Sequence, residues 1–156
     1  MRIGKVTKII LGILLLVFVL IQLVPSEIPE VSFENEGDLF AMPGMDEEVA
    51  GILRNSCYDC HSNETSFPWY SFVAPMKWLV VKDINDGRKE LNFSDWNNLG
   101  KREQIKILEE MMEEIEEGNM PLPVYTIIHR DARLNEDQRN KLSEWTASVT
   151  EKIFGE

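Results

Sequence analysis

Hydrophobic positions along this chain fall into one unbroken block followed by several periodic stripes. From Ile9 to Val24 every residue is apolar except Gly12 and Gln22. Such a block lacks the polar face that a surface helix of a soluble domain carries. At 16 residues it falls just below the lower end of a bilayer span, about 17 residues, and Val6 and Thr7 extend it. Beyond it the period shifts toward 3.6. Val49, Ile52 and Leu53 predict a helix from Glu47 to about Asn55, with Asp46 as N-cap and two glutamates in the first turn, where the helix dipole favours them. Met76 to Asp86 forms a second helix, with Trp78, Leu79 and Lys82 on one side and Gly87 as its C′ stop. Leu91–Trp96 reads as a loop and a short turn capped by Ser94. The clearest stripe is Ile105, Leu108, Met112 and Ile115 within Lys101–Glu117, ended by Gly118. A last helix starts at Asn135, with Glu136, Asp137 and Gln138 forming a capping-box-like first turn and Leu142, Trp145, Val149 and Ile153 its stripe. Strand signals are nearly absent. The pattern predicts an all-α domain of about four helices plus one N-terminal transmembrane helix.

Residues 1–24 read as a membrane anchor or uncleaved signal. Arg2, Lys5 and Lys8 precede the apolar block, and no A-x-A-like small-residue site follows it at Gln22–Glu27. Basic residues before the span and none close after it place the N-terminus in the cytoplasm and the rest of the chain outside. Residues 25–45 read as an acidic, proline-containing tether, with Pro25, Pro29 and Pro43 set among Glu27, Glu30, Glu34, Glu36 and Asp38. Phe33, Leu39, Phe40, Met42 and Met45 are positioned to lay part of it on the domain. Residues 46–156 form the domain itself. After Lys8 the chain has 13 basic and 27 acidic residues, a net charge of −14, which argues against a nucleic-acid partner.

The chemistry concentrates at Cys57-Tyr58-Asp59-Cys60-His61. The chain has two cysteines, and both fall into the C-x-x-C-H pattern by which haem is attached covalently. Two thiols three positions apart can each form a thioether with one vinyl group of the same macrocycle, and the adjacent imidazole is placed to bind the iron. Other readings of the pair are a dithiol redox centre, although no β-rich run precedes Cys57, and a structural zinc site. Zinc would need four ligands from Cys57, Cys60, His61 and His129, and two of these are adjacent. For the opposite side of the iron, methionine is the usual partner of histidine in electron-transfer cytochromes. Met120 follows the helix stop Gly118 in a segment stiffened by Pro121 and Pro123, and is the leading candidate. Met76, His129 and an open position are the alternatives. Trp69, Tyr70 and Trp78 are candidate pocket walls, flat rings able to cover a macrocycle.

Ser56–Thr65, Pro68-Trp69-Tyr70-Ser71, Ala74-Pro75, Gly87-Arg88, Leu91-Asn92-Phe93-Ser94 and Met120-Pro121-Leu122-Pro123 together resemble the small haem-binding domain family of bacterial membrane-anchored cytochromes. The resemblance covers roughly Pro43 to Ala147. It implies a cytochrome c-like domain with one covalent haem c on Cys57 and Cys60, His61 as proximal ligand, and Met120 in the position of the family's Met-Pro motif. One position departs: the family often carries a histidine where this chain has Lys82, and a protonated ammonium offers no lone pair to iron.

The expected function is one-electron transfer by a monohaem cytochrome on the periplasmic side of the bacterial cytoplasmic membrane, held by a single pass, with a redox partner carrying basic charge. The alternatives are a haem sensor or peroxidase-like protein with an open sixth position, and a haem-free thiol redox protein. No Ser/His/Asp set or Gly-rich phosphate loop supports other catalysis.

Overall fold

The computed structural model describes residues 4–33 and 36–155; Arg2 of the basic flank and Glu34 of the tether lie outside them. Among the described residues the chain is helical without strands: α1 (Lys5–Gln22), α2 (Glu47–Ser56), α3 (Tyr58–His61), α4 (Met76–Glu90), α5 (Lys101–Glu116), α6 (Pro123–Ile128) and α7 (Glu136–Gly155), with short 3₁₀ helices at Leu39–Ala41, Trp69–Phe72, Phe93–Asn98 and Arg130–Ala132. The four long helices of the domain are the four that the periodicity predicts, and the one-turn helices α3 and α6 are additional. α1 is long and apolar enough to cross a membrane, with none of its residues buried.

Capping fixes the helix starts. Asp46 accepts from the backbone N–H of Glu48 and Val49 at 2.8 and 3.1 Å. At α7 the Asn135 side chain accepts from Gln138 N at 2.8 Å while Gln138 Oε1 accepts from Asn135 N at 3.0 Å, the reciprocal arrangement of a capping box. The turn at Phe93–Asn98 is capped by Asn92, which accepts from Ser94 N. Ser94 itself turns inward and donates to Asp38 Oδ2 at 3.3 Å.

The core joins α2, α5 and α7 through Val49, Leu53, Leu108, Leu142, Trp145 and Val149, with Phe93 and Trp96 filling the space beside them. α5 lies along α7, and α3 lies on α4. The second half of the tether joins this core: Leu39 is fully buried, Phe40, Met42 and Met45 pack against the cluster, and Asp38 is only 6 % exposed. Its apolar side chains close over a surface that water would otherwise reach.

Gly87 departs from the expectation of a helix stop. α4 continues through it to Glu90, and a Cβ at Gly87 would sit 2.7 Å from the carbonyl oxygen of Cys60. Its role is to let the helix backbone approach the motif, so Gly87→Ala is expected to cost about 1–3 kcal/mol through overpacking against backbone that cannot rotate away. Chemical denaturation of the two proteins measures it; a variant as stable as the parent would show that α4 and α3 shift apart freely.

Candidate functional site

α3 makes the motif a single helical turn. The backbone N–H groups of Cys60 and His61 both donate to Cys57 O, at 3.2 and 3.0 Å, and residues three and four apart in such a turn share a side. The two residues between the cysteines hold the turn from opposite directions. Tyr58 is buried, stacked between Phe40 at 4.2 Å and Phe93 at 5.1 Å between ring centroids, and its hydroxyl donates to Asp38 Oδ1 at 2.8 Å. Asp59 accepts from the Tyr125 hydroxyl at 2.7 Å and from Ser66 N at 3.1 Å. Arg88 ties the following segment down, donating to Ser62 O and Thr65 Oγ1 at 2.8 and 3.0 Å and to Glu30 O of the tether at 2.9 Å.

A cleft of about 490 Å³ opens beside this turn, within the roughly 300–1,000 Å³ of ordinary cofactor pockets. Cys57 and His61 line it from the motif, Leu91 and Phe93 from the segment after α4, Ile107, Met111 and Ile115 from α5, and Met120 with Pro121 from the loop after α5. Glu90, Lys106, Glu110, Glu113 and Glu114 also line it and make it acidic, with Lys106 paired to Glu110 at 2.9 Å.

The His61 ring is oriented by the backbone. Nδ1 lies 3.0 Å from Leu91 O, so the tautomer that donates there leaves the Nε2 lone pair free. Burial holds the imidazole below the usual histidine range, with the Leu91 and Gly87 carbonyls acting in the opposite sense. A neutral ring with one nitrogen engaged by a carbonyl is the form that ligates metals.

Met120 owes its place to the end of α5. Gly118, at φ +76°, reverses the chain: Gly118 N donates to Ile115 O at 3.2 Å and Asn119 N to Glu114 O at 2.9 Å, the two bonds of a Schellman motif. Met120 N also donates to Glu114 O, at 3.1 Å, which returns the chain toward the cleft.

The thiols differ from those of dithiol redox centres. Both cysteines are unpaired and half-buried. Desolvation, reinforced at Cys57 by Cys60 and at Cys60 by the Asp59 and Asp83 carboxylates, pushes each up to about 12. Reactive redox thiols are held in the opposite direction. Cys60 is not among the residues lining the cleft.

Trp69, Tyr70 and Trp78, expected as pocket walls, are not among the residues that line this cleft. Trp69 is 79 % exposed. Tyr70 shares a hydrogen bond of 2.6 Å with His129 Nε2, and the Trp78 indole N–H is buried on α4 without a hydrogen-bond partner. Their sequence neighbourhood placed them near the motif, but Trp69 and Tyr70 belong to the 3₁₀ turn after it and Trp78 to α4, and the cleft is lined by other elements. The rings that serve the site are Phe93, edge-on to His61 at 6.3 Å, and Tyr58. His129 stacks on Tyr125 at 4.2 Å in a separate polar pocket of about 260 Å³ with Arg54, Asp59 and Asp131. Neither it nor Met76 lines the cleft. Lys82 pairs with Asp86 at 2.6 Å on the exposed side of α4. Arg54 lies over the Phe40 ring, 4.8 Å from its centroid.

Sequence reasoning missed Asp38, Gly87, Phe93, Ile107 and Met111. Ile107 and Met111 share the i, i+4 spacing that could have marked a second apolar face on α5.

The donor set fits a haem: a thiol, an imidazole with a free nitrogen and a thioether line one cleft that has an apolar wall, with the second thiol one turn away. A family model described as a haem-binding domain matches residues 16–148. No curated protein and no solved structure matches the chain.

Proposed function

This chain belongs to the haem-binding domain family, and from that premise we propose that it is a membrane-anchored monohaem c-type cytochrome that transfers single electrons. The observation that carries this reading is the convergence of Cys57, His61 and Met120 on one cleft. Cys57 and Cys60 provide the two sulfurs for thioether attachment, His61 Nε2 the proximal ligand, and the Met120 thioether the sixth. Bound there, haem supplies a reversible ferric–ferrous couple whose potential a methionine ligand raises. The Leu91 carbonyl keeps the imidazole in one orientation, and Phe93, Ile107, Met111 and Ile115 exclude water. The glutamates lining the cleft suit a redox partner of basic charge. α1, with Lys5 and Lys8 in its first turn, holds the domain on the periplasmic side of a bacterial cytoplasmic membrane.

Spectroscopy of the full chain, produced with a c-type maturation system, tests the ligand set. The oxidised protein is expected to show the far-red methionine-to-iron charge-transfer band, and Met120→Ala to lose it while gaining carbon monoxide binding in the reduced state. A parent protein that lacks the band and binds carbon monoxide as readily as the variant would discard Met120 and favour a sensor or peroxidase-like site.

A further inference from the structure

α1 does not merely precede the domain; its last turn is bonded to it. Gln22 donates from Nε2 to Ala74 O at 3.1 Å and accepts from Ala74 N at 2.9 Å through Oε1. Lys77 Nζ donates to Val24 O at 2.7 Å and to Gln22 O at 3.5 Å. At 18 residues the helix is about 27 Å long, slightly less than the roughly 30 Å of a bilayer's hydrocarbon core. Gln22 therefore sits at the hydrocarbon edge, and Ala74 is held there with it.

The neighbours of Ala74 suit that depth. Phe72 is 57 % and Trp69 79 % exposed, large rings that touch Phe67 and Tyr70 along one edge and are otherwise open. Two residues of chain reach about 7 Å at most, which places Phe72 within the headgroup layer of about 5–8 Å on each side of the core. The Tyr70 to His129 hydrogen bond sets the end of α6 alongside, where Ile127 and Ile128 are also exposed. Charge follows the same boundary: beyond residue 26, the longest stretches without a carboxylate are 65–82 and 118–130, in a chain with 27 acidic residues. These stretches supply Trp69, Phe72, Ile127 and Ile128, so these four have no carboxylate as an immediate sequence neighbour, and two acids, Asp59 and Asp131, line the His129 pocket beside them.

We propose that the domain rests against the bilayer that α1 spans, with Trp69, Phe72, Ile127 and Ile128 in the headgroup layer and the Gln22–Ala74 and Lys77 bonds fixing that orientation. Tryptophan is enriched at this depth, where its ring is half in apolar and half in polar surroundings. The cleft, built from α5 and the segment after α4, belongs to other elements and stays open to a partner in solution. The proposal rests on α1 spanning a membrane.

Spin labels on single introduced cysteines test both levels, using the haem-loaded full chain, whose own thiols are consumed, in vesicles of phosphatidylcholine and phosphatidylglycerol. The sites are Leu14→Cys in α1, Phe72→Cys, Ile127→Cys, and Glu144→Cys on the exposed side of α7. The expected ratio of oxygen to nickel-chelate accessibility is highest at Leu14 and severalfold higher at Phe72 and Ile127 than at Glu144. A lipid-like value at Leu14 with Phe72 and Ile127 no different from Glu144 overturns the docking and leaves the anchor intact. A water-like value at Leu14 overturns the anchor and the docking together.

Discussion

Replacing both Cys57 and Cys60 by alanine is expected to abolish all haem that survives denaturation, whereas the parent chain retains its full complement through acid–acetone extraction. Coordination by His61 and Met120, as proposed, would be reversible and lost when the chain unfolds; a thioether would not. Each single variant keeps one sulfur and is expected to keep a covalent haem whose pyridine haemochrome spectrum betrays one unsaturated vinyl group. The competing thiol redox reading has less support: burial pushes both thiols up, whereas reactive redox thiols are held low so that the attacking thiolate is available. A parent protein without covalent haem, but with thiols that alkylate rapidly at neutral pH, would reverse this assignment.

The second large effect lies away from the cleft. Asp38→Ala is expected to destabilise the domain by about 3–5 kcal/mol, because it removes one buried acceptor from three donors at once. Its carboxylate accepts from Phe40 N and the Tyr58 hydroxyl at 2.8 Å each and from Ser94 Oγ at 3.3 Å. Each donor left unsatisfied in a buried place costs about 1–3 kcal/mol. Tyr58 cannot turn its hydroxyl to water, because its ring is clamped between Phe40 and Phe93. Against a total stability of about 5–15 kcal/mol, the loss leaves the tether, the motif and the Phe93 turn marginally joined. Urea denaturation should show a lower midpoint with an unchanged slope, and Asp38→Asn, which preserves one acceptor and the shape, should lose clearly less. A loss under about 1 kcal/mol for Asp38→Ala would mean that water satisfies all three donors.

The parts of the fold that were legible in the sequence are those governed by local spacing. Asp46, Gln138 and Gly118 mark helix ends because capping is decided within four residues, and the stripes of α2, α5 and α7 follow from a single period. What spacing could not reveal are contacts between distant segments. Gly87 looks like a helix stop until α3 is packed against it. Asp38 looks like one more solvated tether acid until Tyr58, twenty residues on, reaches it. Trp69 looks like a pocket wall because it follows the motif closely, yet the turn at Trp69–Phe72 carries it to the surface. The candidate attachment motif was readable because Cys57, Cys60 and His61 fall at a fixed local spacing, and the wall of the cleft was not, since Phe93, Ile107 and Met111 meet only in three dimensions.

The packing of α5 on α7 also sets an order of events in time. α5 forms one wall of the cleft, and the side of α5 turned away from it is covered by Leu142, Trp145 and Val149 of the final helix. In the orientation proposed above, with the N-terminus retained, a chain crossing the membrane from α1 onward would present Cys57, Cys60 and His61 well before those residues emerge. During that interval the wall has nothing behind it, and the motif is an open turn on a growing chain. On the proposed cytochrome reading, haem loading would meet accessible thiols first and a closing cleft afterwards, with the arrival of α7 as the latch that ends the loading period.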